Sequence, residues 1–208
     1  MSIDSTADSR RHHPFPTLFN FRDIGGYTGA EGRTVRWNTV YRADGVHRLA
    51  AEDLAPLGVR TVLDLRTHGE LDERGRFEAE GVDHHHLPLI PRTWEQDDLV
   101  PGDDAADYLA ARYLEMLDGG GANLAAALGF VADADRLPLV FHCAAGKDRT
   151  GVVAAIRSQP TVFFEAPAEA MHRFLGAVRE RWGSMAACAA SVGVTDDVVA
   201  GLRANLLE

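Results

Sequence analysis

The residues with the clearest chemical potential lie in one short segment, where an arginine follows a cysteine with five residues between them. Residues 142–151 have the sequence HCAAGKDRTG, with Cys143 and Arg149 as that pair. An apolar run at 138–142 precedes the segment, and a helical pattern follows it. A loop between a strand and a helix can direct successive N–H groups into one concavity, with the helix dipole behind it. The pattern therefore predicts an anion site, to which Arg149 adds a planar, two-pronged grip on phosphate oxygens.

A thiol at the mouth of such a loop is an activated nucleophile. The same dipoles favour the thiolate of Cys143, which is the form that attacks phosphorus. We expect Thr150 to hydrogen-bond the sulfur when it leaves, and His142 to orient the loop from behind, because an ionised thiol needs no base. Gly146 permits the unusual backbone angles of the loop. The predicted phosphate-binding residues are Ala144, Ala145, Gly146, Lys147, Asp148, Arg149 and Thr150.

Three other interpretations of the cysteines stay open at this point. The loop could belong to a phosphate-binding module without catalysis, or it could perform another cysteine chemistry, such as arsenate reduction or sulfur transfer. Cys143 could also be a buried, inert cysteine at a strand end. For Cys188, within the small-residue run MAACAA, we expect simple packing. Turnover of an aryl phosphate without added metal would separate the phosphatase from these alternatives.

Four segments of the chain together carry a family resemblance. They are NFRDIGG at 20–26, YRADG at 41–45, DLR at 64–66 and the segment at 142–151. The last resembles the signature of the protein tyrosine phosphatase superfamily. The set more closely resembles the bacterial tyrosine phosphatases that also act on phosphoinositides. The resemblance implies a cysteinyl-phosphate intermediate with no metal and no cofactor. It implies substrates from phosphotyrosine to phosphoserine, phosphothreonine and phosphoinositides.

The leaving oxygen needs a proton, which a carboxylic acid must supply. The resemblance implicates the aspartate inside the signature, here Asp148, and a neighbouring phosphate dianion would favour its protonated form. Asp64, at a strand end, is a weaker candidate for this role. Arg66 either braces the loop or forms a purely structural salt bridge. The remaining candidates lie in a long loop and are Asp97, Asp98, Asp103 and Asp104.

The elements around the motif predict an α/β fold. Strands are expected at 39–42, 59–65, 82–89 and 138–142, and loops at 20–27 and 91–104. Helices are expected at 51–57, 69–74, from about 109 to a stop at Gly119-Gly120-Gly121, at 124–131, at 150–159, from Pro167 to 182 and at 195–206. We predict a loose N-terminal arm at 1–16 and one phosphatase domain at 17–208. In that domain, a central sheet is flanked by helices, and the phosphate loop joins a strand to a helix.

Composition narrows the class of partner. A net charge of −10 over 208 residues argues against nucleic acid, so an anion site must be built locally. Lys147 is the single lysine and lies inside the motif. With two cysteines and no transmembrane run, we expect a cytoplasmic protein, although export without a cleaved signal stays open. The partner is then a phosphorylated protein or a phosphoinositide, and the oligomeric state is left open.

Two further features need interpretation. The run His84-His85-His86 suggests a metal site, but neighbouring strand residues face opposite sides, so at most two can converge, and we expect no metal. In the resembling family, additional helices after the signature helix form a lid. Here only residues 156–164 separate that helix from the one at Pro167. Either this protein lacks the lid, or the chain has lost a segment, which a break in the backbone there would reveal.

Overall fold

The computed structural model describes residues 9–94, 104–157 and 168–208. They form a mixed α/β structure around one five-stranded sheet, so the predicted fold class is confirmed. The strands are β1 (Arg22–Asp23), β2 (Val40–Ala43), β3 (Thr61–Asp64), β4 (Asp83–His86) and β5 (Leu139–His142). Their order across the sheet is β1-β2-β5-β3-β4. The pair β1 and β2 is antiparallel, whereas the other neighbours are parallel.

Helices pack around this sheet. They are α1 (Ala51–Leu54), α2 (His68–Arg74), α3 (Ala105–Ala132), α4 (Asp148–Arg157), α5 (Ala168–Trp182), α6 (Met185–Ser191) and α7 (Asp196–Leu206). Short 3-10 turns lie at Ser9–Arg11, Ala30–Gly32, Val46–Arg48, Ala55–Leu57 and Ala134–Arg136. Thr195 caps α7 by accepting from the N–H of Val198. None of the helices in the described ranges has both the length and the apolar character needed to cross a bilayer.

The register of the sheet determines where the functional segments meet. His142 ends β5 and pairs with Ala43 at the end of β2 and with Asp64 at the end of β3. Because these three strands are parallel, the segments that follow them leave the same edge of the sheet. The segment after β5 therefore lies between those that follow β2 and β3.

The two faces of β5 bury different cores. Leu139 and Phe141 belong to the cluster that packs under α3, α4 and α5, whereas Val140 belongs to the cluster with Phe21 and Val62. All four residues of β5 are buried. This alternation is what a strand covered on both faces requires, and it holds the start of the phosphate loop rigidly in place.

The prediction that the triple glycine ends a helix is wrong. Helix α3 has 28 residues and continues through Gly119-Gly120-Gly121, so the two helices expected there are one. A Cβ at Gly120 would lie 2.5 Å from the carbonyl oxygen of Leu89, and one at Gly121 would lie 3.0 Å from the side chain of Val192. These glycines therefore serve close packing, which the local sequence does not distinguish from a helix stop.

Smaller differences concern boundaries. The predicted loop at 20–27 contains strand β1, and α4 begins at Asp148, two residues before the predicted start. Several predictions fall on undescribed residues: most of the loop at 91–104, the helix stop at Pro160, the helix start at Pro167, and the expected break or missing lid near 156–164. The predicted N-terminal arm at 1–16 is described from residue 9 onward. In that part, the side chain of Arg11 lies over the ring of Tyr27. The domain boundary at residue 17 stays a prediction.

Candidate active site

The predicted phosphate loop lies between the end of β5 and the first turn of α4. Cys143 directly follows β5 and is 2% exposed, at the base of the loop. The hydroxyl of Thr150, in α4, donates to Cys143 Sγ at 3.1 Å. This bond favours negative charge on sulfur and lies where a departing thiolate would need it. The predicted Thr150 contact is therefore present.

Three donors from two segments of the chain, at 20–26 and 41–45, hold the carbonyl groups of the loop outward. The oxygen of Ala144 accepts from Gly45 N at 3.3 Å, and that of Ala145 accepts from Asn20 Nδ2 at 2.6 Å. The oxygen of Gly146 accepts from Arg42 Nη2 at 2.8 Å. In a trans peptide the N–H points opposite to the C=O. The N–H groups that follow these carbonyls therefore face the concave side, where an anion would bind.

Gly146 is required at its position for two reasons. Its φ of +67° lies in the left-handed region, which disfavours other residues. In addition, a Cβ there would lie 2.6 Å from backbone atoms of Ala43 and Asp44. The loop thus packs against the end of β2 so closely that only a residue without a side chain fits.

Arg149 is held by a residue that the sequence analysis missed. Its Nη1 donates to Glu70 Oε2 at 2.6 Å and its Nη2 to Glu70 Oε1 at 3.1 Å. Burial opposes ionisation of both groups, but their mutual hydrogen bonds prevail. They lower the pKa of Glu70 to about 2 and raise that of Arg149. The Thr67-x-x-Glu70 capping box of α2, visible in the sequence, places this carboxylate and was the available signal.

Asp64 and Arg66 form a fully buried ion pair next to the loop. Arg66 donates from Nη2 to Asp64 Oδ2 at 2.6 Å and from Nε to Asp64 Oδ1 at 2.9 Å. It also donates to the carbonyl oxygen of Gly75 at 2.7 Å. Burial raises the pKa of Asp64, but the neighbouring His84 ring and the hydrogen bonds from Arg66 hold it far below its usual value. Asp64 is therefore ionised at neutral pH and suits bracing better than proton donation.

His142 links this ion pair to the cysteine. Its Nδ1 lies 3.2 Å from the carbonyl oxygen of Cys143, and its Nε2 lies 3.6 Å from Asp64 Oδ2. Burial lowers the pKa of His142 to about 4, so the ring is neutral at pH 7. A neutral ring behind the loop fits the expected orienting role.

The histidine run faces both sides of the sheet, as expected for a strand. His84 lies 3.5 Å from Asp64 Oδ2, and His86 Nε2 lies 2.8 Å from the carbonyl oxygen of Arg66. The ring of His85 stacks instead on Phe130, with centroids 4.1 Å apart. The three histidines therefore do not converge on one point.

Within the described parts of the chain, one group of side chains has the spacing of a metal site. Asp64, His84 and His142 offer ligand atoms that all lie within 4.8 Å of one another. However, both oxygens of Asp64 already accept hydrogen bonds from the Arg66 guanidinium. A cation would be repelled by that adjacent positive charge, so the group is better suited to hydrogen bonding.

The predicted acid, Asp148, is the first residue of α4 and is half-buried. Its Oδ1 accepts a hydrogen bond of 2.5 Å from the hydroxyl of Tyr113 in α3, a contact that the sequence analysis also missed. Neighbouring Lys147 is half-buried as well.

The remaining acid candidates and the second cysteine are placed as follows. Asp97, Asp98 and Asp103 lie outside the described residues. Asp104 caps α3, where its Oδ1 accepts from Ala106 N at 2.8 Å. Cys188 lies in α6, fully buried in the core, and burial raises the pKa of its thiol.

A cysteine, a loop of inward N–H groups and a buried arginine lie together on an α/β sheet, an arrangement suited to phosphate chemistry at a cysteine. The sequence profile described as "Tyrosine phosphatase family" matches residues 13–159. The chain belongs to this family, as the signature had indicated.

Individual relatives agree with this assignment. One relative is a protein of Cupriavidus necator whose name is that of a tyrosine-protein phosphatase. It is 31% identical over 159 residues, which cover 73% of this chain and 58% of that protein. PtpB, the triple specificity protein phosphatase of Mycobacterium tuberculosis, is 29% identical over 170 residues, covering 68% of this chain and 60% of PtpB. The chain thus spans less than two thirds of the length of either relative. The crystal structure of TpbA from P. aeruginosa covers 80% of this chain and 85% of its own at 19% identity, with a TM-score of only 0.29.

Proposed function

We propose that this protein hydrolyses phosphomonoesters through a cysteinyl-phosphate intermediate. The observation that carries the proposal is the phosphate loop itself. Its carbonyls are held outward by Gly45, Asn20 and Arg42, while Thr150 donates to the sulfur of Cys143. Such a loop stabilises a phosphate dianion and a thiolate in one place. Neither an inert buried cysteine nor a purely structural loop needs that arrangement.

The reaction has two displacements at phosphorus. The Cys143 thiolate attacks, so that an S–P bond forms as the P–O bond to the alcohol breaks, while Arg149 and the loop N–H groups bind the three equatorial oxygens. The leaving oxygen takes a proton from Asp148. Water then attacks the cysteinyl phosphate with Asp148 as base, which releases inorganic phosphate and restores the thiolate.

The assignment of the acid to Asp148 is supported by its place beside the loop. The ion pair with Arg66 keeps Asp64 ionised, which makes it a poor alternative. Replacement of Asp148 by Asn should reduce kcat/KM far more for phenyl phosphate than for 4-nitrophenyl phosphate. General acid catalysis contributes about 10²–10⁴-fold, and a good leaving group needs little of it. Equal losses on both substrates would remove the acid role from Asp148.

For substrates, we propose phosphotyrosine first, with phosphoserine, phosphothreonine and phosphoinositides as a wider range. The family of the chain and the name of PtpB, a triple specificity phosphatase, support this range. Lys147, two residues before Arg149, is the residue that could bind a second phosphate of an inositol ring. The cytoplasmic location stays a prediction.

The decisive experiment is turnover of 4-nitrophenyl phosphate by the purified chain in the presence of a chelator. Turnover that disappears in Cys143→Ser, while the variant keeps its fold and still binds phosphate, supports the mechanism. A phosphate-binding module would show binding without turnover in the native chain. Arsenate reduction or sulfur transfer would require its own substrate and would leave the aryl phosphate intact. Substantial activity in Cys143→Ser would exclude covalent catalysis by this residue.

A further inference from the structure

A buried tyrosine contacts the proposed acid. Tyr113 lies in the interior of α3 and is 0% exposed, and its hydroxyl donates to Asp148 Oδ1 at 2.5 Å. Its periodicity in the sequence marks it only as part of the apolar stripe of α3. A fully buried hydroxyl normally has a hydrogen-bond partner. Here, that partner is the carboxylate to which the mechanism assigns the proton transfer.

The tyrosine is anchored much more firmly than the aspartate. Its ring packs edge-on against Phe174 of α5, with centroids 5.9 Å apart and an angle of 88° between the planes. The next turns of α3 are held by Gly120, which lies directly against the backbone of Leu89. Asp148, by contrast, is half-buried at the first position of α4. The hydroxyl of Tyr113 thus links the carboxylate of Asp148 to the packed core.

The proton of this hydrogen bond belongs to the tyrosine. Burial, followed by the hydrogen bond to Asp148, raises the pKa of Tyr113 far above its usual value. The tyrosine therefore stays neutral and acts as a donor, not as a proton-transfer group. Oδ1 is occupied as an acceptor, so Oδ2 is the oxygen of Asp148 that remains to carry a transferable proton.

We propose that Tyr113 is a positioning residue, which fixes the Asp148 carboxyl through Oδ1 and so directs the proton on Oδ2 toward the leaving oxygen. This inference rests on the proposed function. In the first displacement, the Oδ2–H bond breaks as the proton moves to the leaving oxygen, and Asp148 is left as a carboxylate. The tyrosine keeps its own proton throughout. Without its hydroxyl, the carboxyl group can rotate, and a smaller fraction of molecules presents the proton correctly.

The test is Tyr113→Phe, which removes one oxygen and keeps the ring contact with Phe174. We expect kcat/KM for phenyl phosphate to fall by about 10-fold, the low end for a hydrogen bond to a charged group. For 4-nitrophenyl phosphate it should change less than about 2-fold, because that leaving group hardly needs the acid. The inhibition constant for inorganic phosphate should not change, since binding requires no proton transfer. A loss in kcat/KM with unchanged phosphate binding separates positioning from a damaged loop.

Tyr108→Phe is the matched control. It removes a hydroxyl from the same helix, and within the described part of the chain that buried hydroxyl has no hydrogen-bond partner. We expect both substrates to be turned over normally by this variant. Melting temperatures of both variants would show whether the fold is preserved.

The Asp148→Asn background completes the test. There, adding Tyr113→Phe should cause no further selective loss on phenyl phosphate, because the residue that it positions no longer supplies a proton. Three results would overturn the proposal: equal losses on both substrates in Tyr113→Phe, a selective loss that persists in the Asp148→Asn background, or the same loss in Tyr108→Phe. If Asp148→Asn itself shows no leaving-group selectivity, the acid assignment fails, and the role of Tyr113 fails with it. The proposed function is judged separately, by native turnover and by its loss in Cys143→Ser.

Discussion

The contact between Glu70 and Arg149 leads to a prediction about how Arg149 binds phosphate. Glu70 occupies Nη1 and Nη2 of the guanidinium, whereas Nε makes no hydrogen bond among the described residues. The edge formed by Nε and the second hydrogen of Nη2 is therefore presented to a phosphate. We predict that Glu70 sets the orientation of Arg149 rather than competing with the substrate.

Glu70→Gln is the most selective perturbation of this contact. Oε2 accepts from both Thr67 N and Arg149 Nη1, so the amide oxygen of Gln should take that position and preserve the capping box. Its NH2 group then faces the hydrogens of Nη2 where Oε1 had accepted. One charge-assisted hydrogen bond of about 1.5–3 kcal/mol is lost. If all of it is expressed in the transition state, kcat/KM falls by about 10- to 150-fold.

The same pair makes a contribution to stability that depends on pH. The pKa of Glu70 is lowered from 4.5 to about 2, which corresponds to about 3 kcal/mol of stability at neutral pH. A carboxylate whose pKa is lower in the folded protein than in the unfolded chain stabilises the fold at pH values above its unfolded pKa. The difference in unfolding free energy between the native protein and Glu70→Gln should thus be constant above about pH 5. It should disappear as the pH falls from 4.5 toward 2.

The assays are steady-state hydrolysis of 4-nitrophenyl phosphate and urea unfolding followed between pH 7 and the lowest pH at which the fold persists. Glu73→Gln is the control, because Glu73 lies in the same helix and its one ion pair within the described ranges is an exposed contact with Arg74 at 3.8 Å. It should change neither measurement appreciably. Native kcat/KM in Glu70→Gln, or a stability difference that does not depend on pH, would refute the positioning of Arg149 by Glu70.

Two further predictions concern the loop. Gly146→Ala should lower the melting temperature by several degrees and weaken inhibition by phosphate, because it combines a φ of +67° with a Cβ 2.6 Å from the Ala43 backbone. The control is Gly69→Ala, because Gly69 lies in a helix and a Cβ there would have nothing within 4 Å. That variant should be neutral or stabilising. Lys147→Met should reduce kcat/KM about 10-fold on a phosphoinositide and much less on a phosphotyrosine peptide. Equal changes on both substrates would show that Lys147 does not bind a second phosphate.

The residues that the sequence predicts well are those whose environment is local. The run at 138–142 is apolar and short, so a buried strand was the simplest interpretation, and the loop chemistry follows from residue types within ten positions. The same local reasoning failed at Gly119-Gly120-Gly121. Whether a glycine ends a helix or lets it approach another segment depends on Leu89 and Val192, which are distant in the sequence.

The site partners missed by the sequence analysis share that property. Glu70 and Tyr113 fall within the helices predicted at 69–74 and from about 109, and both predictions are locally correct. Their contacts with Arg149 and Asp148 span 79 and 35 positions in the sequence. Only the parallel register of β3 with β5, together with the packing of α3 beside α4, brings them to the loop. The capping box fixes where Glu70 lies in its own helix, but no pattern within one element encodes which distant residue it contacts.

The four family-like segments have a physical reason to occur together. Asn20 and Arg42 bind carbonyls of the loop, and Gly45 N binds the carbonyl oxygen of Ala144. Asp44 in turn accepts from the N–H groups of Phe19 and Asn20, which ties the first segment to the second. Loss of any one of these donors would leave a loop carbonyl without its partner, and that peptide could then rotate its N–H group out of the anion site. The NFRD and YRADG segments thus belong to the proposed phosphate site although the mechanism assigns them no catalytic group, and their contribution is to hold the loop carbonyls outward.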